Sequence, residues 1–122
     1  MNLLGLQMKS GWFQIAIVLI ACGAGPVWAW QAKVIRITDG DSLWVRPADG
    51  GAPVELRIDG IDAPEICQSG GQAARKALAA RLMGRTVDVD TRRKDDYGRT
   101  LASVFLDGED MGAWMVRQGH AW

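Results

Sequence analysis

Asp41, Arg57, Asp62, Glu65 and Arg99 are the side chains of this sequence whose types and spacing suit work on a phosphoryl group. They fall in three polar clusters: Thr38-Asp39-Gly40-Asp41-Ser42, Arg57-Ile58-Asp59-Gly60-Ile61-Asp62-Ala63-Pro64-Glu65, and Asp95-Asp96-Tyr97-Gly98-Arg99-Thr100. Hydrolysis of a phosphodiester needs a cation to offset charge on the attacked phosphate, donors for its nonbridging oxygens and a base to direct water. Asp41 and Asp62 are hard oxygen ligands suited to a divalent ion that takes six to eight oxygens, with waters and a backbone carbonyl near Ala63 filling the shell. Arg57 and Arg99 offer guanidinium groups that grip a phosphate bidentately. Glu65, fixed just after Pro64, is placed to orient or deprotonate water. Each cluster taken singly has a plainer reading. Asp-Gly-Asp is a turn signal, Asp62-Ala63-Pro64-Glu65 fits a helix-start cap, and Tyr97-Gly98-Arg99 fits the start of a strand with an exposed cation.

The elements that must position these residues are legible in the alternation of polar and apolar positions. Lys33 to Thr38 alternates as a half-buried strand ended by Asp-Gly, and Ser42 to Arg46 reads as the next strand. The turn formers from Pro47 to Pro53 precede renewed alternation in Val54 to Ile58, which predicts a hairpin. A loop centred near Gly51 places Asp41 opposite Ile61 or Asp62, so that the two carboxylates meet at one end of the sheet. Gln72 to Leu82 is rich in strong helix formers, closes at Gly84 and sets Ala74, Leu78 and Leu82 on one face. Thr86 to Asp90 and Thr100 to Leu106 alternate as two more strands, and Asp107-Gly108 turns the chain into a last helix from Glu109 to Gln118. Three strands, a helix, two strands and a helix is the order of a five-stranded OB-type Greek-key barrel, an α+β, mainly β architecture.

The three clusters, in this order and with these elements between them, resemble the active site of the staphylococcal nuclease (thermonuclease) family, from Lys33 to Trp122. The resemblance implies a calcium-dependent hydrolase, an endonuclease acting on DNA, with RNA left open as a second substrate. It also implies the roles: Arg57 and Arg99 bind and polarise the phosphate, and Asp41, Asp62 and the carbonyl of Ala63 hold Ca2+. Glu65 serves as general base and Tyr97 contacts a terminal phosphate of the substrate. Three departures bear on substrate grip. Gly119-His120-Ala121-Trp122 stands where many relatives continue into a tyrosine-bearing segment and a third helix, which is expected to be absent here. Asp96 stands in place of a lysine, and Ile66-Cys67-Gln68-Ser69-Gly70-Gly71 replaces a basic loop. The same barrel also serves as a non-catalytic nucleic-acid-binding or scaffold module, which is the alternative reading.

Composition frames these expectations. Lys9, the apolar run Ile15 to Ala21, the break at Pro26 and Val27-Trp28-Ala29 predict a signal peptide over residues 1–29, with a secreted or periplasmic domain over 30–122. Leu19-Ile20-Ala21-Cys22 also fits lipidation on Cys22, the one route by which a membrane partner enters. From Trp30 onward the chain keeps thirteen of its fourteen Lys and Arg and all fourteen Asp and Glu, a net charge of one negative. A broad basic field over nucleic acid is thereby excluded, so local cations such as Arg57, Arg92, Arg93, Lys94 and Arg99 must provide the grip. Cys67 is the one thiol of that segment, so no internal disulfide forms. Trp44 and Trp114 are expected in the core, and His120 on the surface. Asp59 shares strand parity with Arg57, and no role for it follows. No stable protein partner is implied, and a monomer is expected.

Overall fold

The computed structural model describes residues 29–122, so the expected signal peptide lies outside the described residues except for Ala29 at its end. The strands are β1 (Trp30–Asp39), β2 (Ser42–Pro47), β3 (Val54–Ile58), β4 (Thr86–Lys94), β5 (Thr100–Leu106) and the two-residue β6 (Glu109–Asp110). Helix α1 (Gly71–Leu82) lies between β3 and β4, and α2 (Met111–Arg117) follows β6. The sheet order is β3-β2-β1-β4-β5-β6, and a parallel pairing of β3 with β5 closes the first five strands into the expected barrel. Closure leaves those strands without a free edge.

The core is aliphatic. Every second residue of β5, Thr100, Ala102, Val104 and Leu106, is buried, as strand alternation dictates. Val34, Leu43, Val45, Leu56, Ile58, Val87 and Val89 supply the strand side of the core, and Leu78 and Leu82 of α1 and Met111 and Met115 of α2 are buried in the same cluster. Burying one such side chain stabilises the fold by about 1.5–3 kcal/mol. Ala74, Leu78 and Leu82 share the inner face of α1 as their spacing predicts. The expected tryptophan core is corrected: Trp114 only packs against the cluster's margin, and Trp44 is half-buried outside it. On β2 the side chains that flank Trp44, Leu43 and Val45, take the inward positions, so Trp44 faces outward. His120 is half-buried.

Two further corrections concern turns. The β2–β3 ladder pairs Ser42 with Arg57 and Val45 with Val54. The chain reverses at Pro47 to Gly50, where the Gly50 amide donates to the Pro47 carbonyl (3.1 Å), ahead of Gly51. Asp41 therefore lies across from Ile58, whose amide donates to the Asp41 carbonyl (2.8 Å), rather than from Ile61 or Asp62. At the other end, Asp107 (φ 50°) and Gly108 (φ 83°) form a hairpin turn with two positive φ values, and β6 precedes the last helix. That helix starts at Met111 and not Glu109. Asp110 Oδ1 caps it by accepting from the amides of Gly112 (2.8 Å) and Ala113 (3.1 Å).

Candidate active site

Gly40 brings the first cluster to the second by having no side chain. A methyl there would sit 2.8 Å from the Cβ atoms of both Ala63 and Ala74, so the β1–β2 turn packs directly on the loop after β3 and on α1. This glycine is required for close approach, not for a turn conformation. The approach delivers the Asp41 carboxylate to the loop: its Oδ2 accepts from the Ala63 amide (2.9 Å), and its Oδ1 accepts from the Ser42 hydroxyl (3.0 Å). Asp41 and Asp62 thus meet by a tertiary contact and not through the ladder.

Arg57 ties the second cluster together. Its Nη1 donates to the carbonyls of Ile58 (2.6 Å) and Ile61 (2.8 Å), which fixes the turn through Gly60 (φ 85°). Its Nη2 lies 2.6 Å from Asp62 Oδ1 and 3.3 Å from Asp41 Oδ2, so both carboxylates converge on one nitrogen. The loop is latched a second time, because Asp62 and Trp122 exchange backbone hydrogen bonds in both directions (2.8 and 2.9 Å).

Asp62-Ala63-Pro64-Glu65 does not cap a helix. The segment after Glu65 is a tight loop in which Gln68 Oε1 accepts from the Glu65 amide (2.6 Å) and the Glu65 carbonyl accepts from the Gln68 amide (2.8 Å). Gly71 opens α1 against this loop, and a methyl on it would overlap the Glu65 carbonyl. Gln68, within the segment Ile66 to Gly71, thus holds the Glu65 backbone. Its side chain is exposed to solvent.

The third cluster is an Asp95-centred turn. Asp95 Oδ1 accepts from the amides of Tyr97 and Arg99 (both 2.9 Å), and Asp95 Oδ2 accepts from Arg99 Nε (2.9 Å). Burial pushes this carboxyl up, but the amide bonds and the Arg99 guanidinium together outweigh it and hold Asp95 below the usual carboxylate range. Arg99 also lies 5.9 Å from the ring centre of Tyr97, which is 86% exposed.

Arg57, Asp62 and Arg99 line one cleft of about 360 Å³ at the mouth of the barrel. Arg93, one of the cations expected to grip nucleic acid, lines it as well, together with Asp59 and Trp122, to which sequence reasoning gave no role. Asp59 pairs with Arg93 (3.8 Å) rather than with Arg57. Of the other cations, Arg92 turns back to Asp90 (3.4 Å) and Ser103 Oγ (3.3 Å), and Lys94 is exposed. Cys67 is an exposed free thiol.

Among the described residues no group of three or more His, Cys, Asp or Glu is arranged to hold a metal. The donor chemistry around Asp41 nevertheless fits a hard cation, since it offers carboxylates without imidazole or thiolate. Burial, with the Asp41 carboxylate beside it, raises Asp39 to about 6. Negative charge is thus crowded at this turn, a condition that a divalent cation relieves.

The family model for the staphylococcal nuclease homologue matches residues 55–122. The chain is 39% identical over 117 residues to Protein ParB of Escherichia coli, covering 88% of this chain and 65% of that protein. A micrococcal nuclease of Shigella flexneri is 35% identical over 117 residues, with the same coverage of each chain. An uncharacterized endonuclease of Haemophilus influenzae is 37% identical over 90 residues, or 74% of this chain and 50% of that one. The chain therefore spans half to two thirds of the length of these relatives.

Proposed function

The chain belongs to the staphylococcal nuclease family, and we propose that it is a calcium-dependent nuclease that hydrolyses phosphodiester bonds of DNA, with RNA as a second substrate to be tested. One observation carries the reading: Arg57 of β3 and Arg99 of the turn before β5, far apart in sequence, line a single cleft with Asp62 beside them. Two guanidinium groups there grip the nonbridging oxygens of a phosphate from different sides. Asp41, Asp62 and the Ala63 carbonyl are the groups that would hold the cation, which supplies positive charge to the developing oxyanion. Glu65, its backbone held by Gln68, accepts the proton of the attacking water as the new P–O bond forms and the ester P–O bond breaks. The leaving oxygen takes its proton from solvent. Tyr97, exposed beside Arg99, contacts a terminal phosphate.

The proposal places the domain outside the cytoplasm, on the strength of Lys9, the apolar run and Val27-Trp28-Ala29. Intact mass of the exported protein should begin at Trp30, and a lipidated Cys22 at the N-terminus would replace release by anchoring. The activity is tested by incubating purified protein with single-stranded DNA, with calcium and with chelator. Cleavage in calcium alone is expected. DNA that is retained yet intact in both tubes would instead support a binding module without catalysis.

A further inference from the structure

Strand register sets a third arginine beside the two already described. Arg57 pairs with Leu101 in the parallel β3–β5 ladder, and Leu101 pairs with Arg93 in the antiparallel β5–β4 ladder. Directly paired residues share a sheet face, so Arg57, Leu101 and Arg93 form one row across three strands. The row depends on an irregularity. Thr91 pairs with Ala102 and Arg93 with Leu101, so Arg92 is an extra residue in β4. Without it, Arg92 would oppose Leu101 and Arg93 would oppose the buried Thr100. A bulge re-aims the side chains that follow it, and here it sets Arg93 on the cleft.

The cleft is thereby lined by three arginine–aspartate pairs that differ in tightness. Arg57–Asp62 (2.6 Å) and Arg99–Asp95 (2.9 Å) are short, and both arginine side chains are largely buried. Arg93–Asp59 is 3.8 Å long, and the Arg93 side chain is 66% exposed. An exposed pair at that separation is weak and readily exchanged for another anion. A cleft of about 360 Å³ also reaches the ~300–1,000 Å³ range of sites for whole small molecules.

We propose that Arg93 is a binding site for a second phosphate of the same polynucleotide, next to the one held by Arg57 and Arg99, with Asp59 as the counter-ion that this phosphate displaces. The inference rests on the nuclease reading of the cleft and assigns to Arg93 the discrimination between a chain of nucleotides and an isolated phosphodiester. Asp59 tunes the preference by competing for Arg93.

The experiment compares an oligodeoxynucleotide with a nitrophenyl ester of a thymidine phosphate, which carries one phosphodiester. Arg93→Gln should lower kcat/KM for the oligonucleotide about tenfold relative to the single diester. It should also flatten the dependence of oligonucleotide affinity on salt by roughly the 0.7–0.9 expected for one lost phosphate contact. Asp59→Asn should shift the substrate ratio the other way, and Arg93→Lys should recover most of it. Arg85→Gln, which removes a charge from an exposed pair with Asp107 away from the cleft, controls for net charge and should move neither. Equal losses on both substrates, or an unchanged salt slope, would overturn the proposal. If the wild-type protein cuts neither substrate, the nuclease reading falls alone, and the salt slope of oligonucleotide binding still decides for or against Arg93.

Discussion

Two arginine clusters in this molecule share a chemistry and differ in what their geometry leaves over. Between the helices, Arg81 of α1 and Arg117 of α2 converge on one carboxylate, with Arg81 Nη2 at 2.7 Å from Glu109 Oε1 and Arg117 Nη2 at 2.6 Å from Glu109 Oε2. The Arg81 guanidinium also stacks 5.5 Å from the ring centre of Trp114. Both oxygens of Glu109 are used and one cation is covered by an aromatic face, so the cluster fastens α1 to α2. At the cleft the arginines come from β3, from β4 and from the turn before β5, each with a cleft aspartate beside it, and all face a shared concave space. Shared acceptors make a clamp. Converging donors around an open volume make a site for an anion.

The sharpest way to break the comparison is to remove the converging donors. Arg99→Gln should lower turnover by about 10³-fold, the scale seen when an arginine is withdrawn from phosphoryl transfer. Arg57→Gln should do the same and lower the melting temperature too, because Arg57 also holds the carbonyls of Ile58 and Ile61. Steady-state kinetics beside thermal melts separates the two effects, and turnover that survives both changes would remove the cleft arginines from catalysis.

Glu65→Gln ranks next. Loss of a general base costs about 10²-fold or more, while oligonucleotide affinity measured with calcium should stay within a small factor. A matching fall in affinity would make Glu65 part of the grip.

Glu109→Gln tests the clamp. With Glu109 only about a third exposed and two cations left facing a neutral group, stability should fall by about 1 kcal/mol and kcat should not change. A denaturant titration and an activity assay on the same sample read both, and a drop in kcat would show that the helices communicate with the cleft.

The smallest effect is the acid response of the third cluster. Asp95 is held below its ordinary 3.8 by the amides and guanidinium around it, so its stabilising contribution is full above that unfolded value and is lost as pH falls through the lower folded one. Acid unfolding of Asp95→Asn should show a weaker dependence on pH below about 3.8 than the parent. Identical acid curves would mean that the turn contributes nothing through this charge.

The sequence by itself determined most of the elements and the side-chain types on which the proposed chemistry rests. Period-two alternation in β3 and β5 and the inner stripe of α1 are local patterns, set by which side chains must leave water, and they were readable residue by residue, whereas in β1 a register shift between Val34 and Arg36 breaks the expected alternation. The types at positions 41, 57, 62, 65 and 99 were readable for the same reason: a carboxylate or guanidinium keeps its chemistry wherever the fold puts it. What only the tertiary structure decided is partnership. The early reversal at Pro47 to Gly50 set Asp41 across from Ile58, and the missing Gly40 side chain, not the ladder, then brought Asp41 to Ala63 and Asp62. One extra residue in β4 chose Arg93 over Arg92 for the cleft and gave Asp59 its partner. Register and close packing sum constraints from several strands at once, so a one-residue shift that leaves the local pattern almost untouched reassigns every ion pair beyond it.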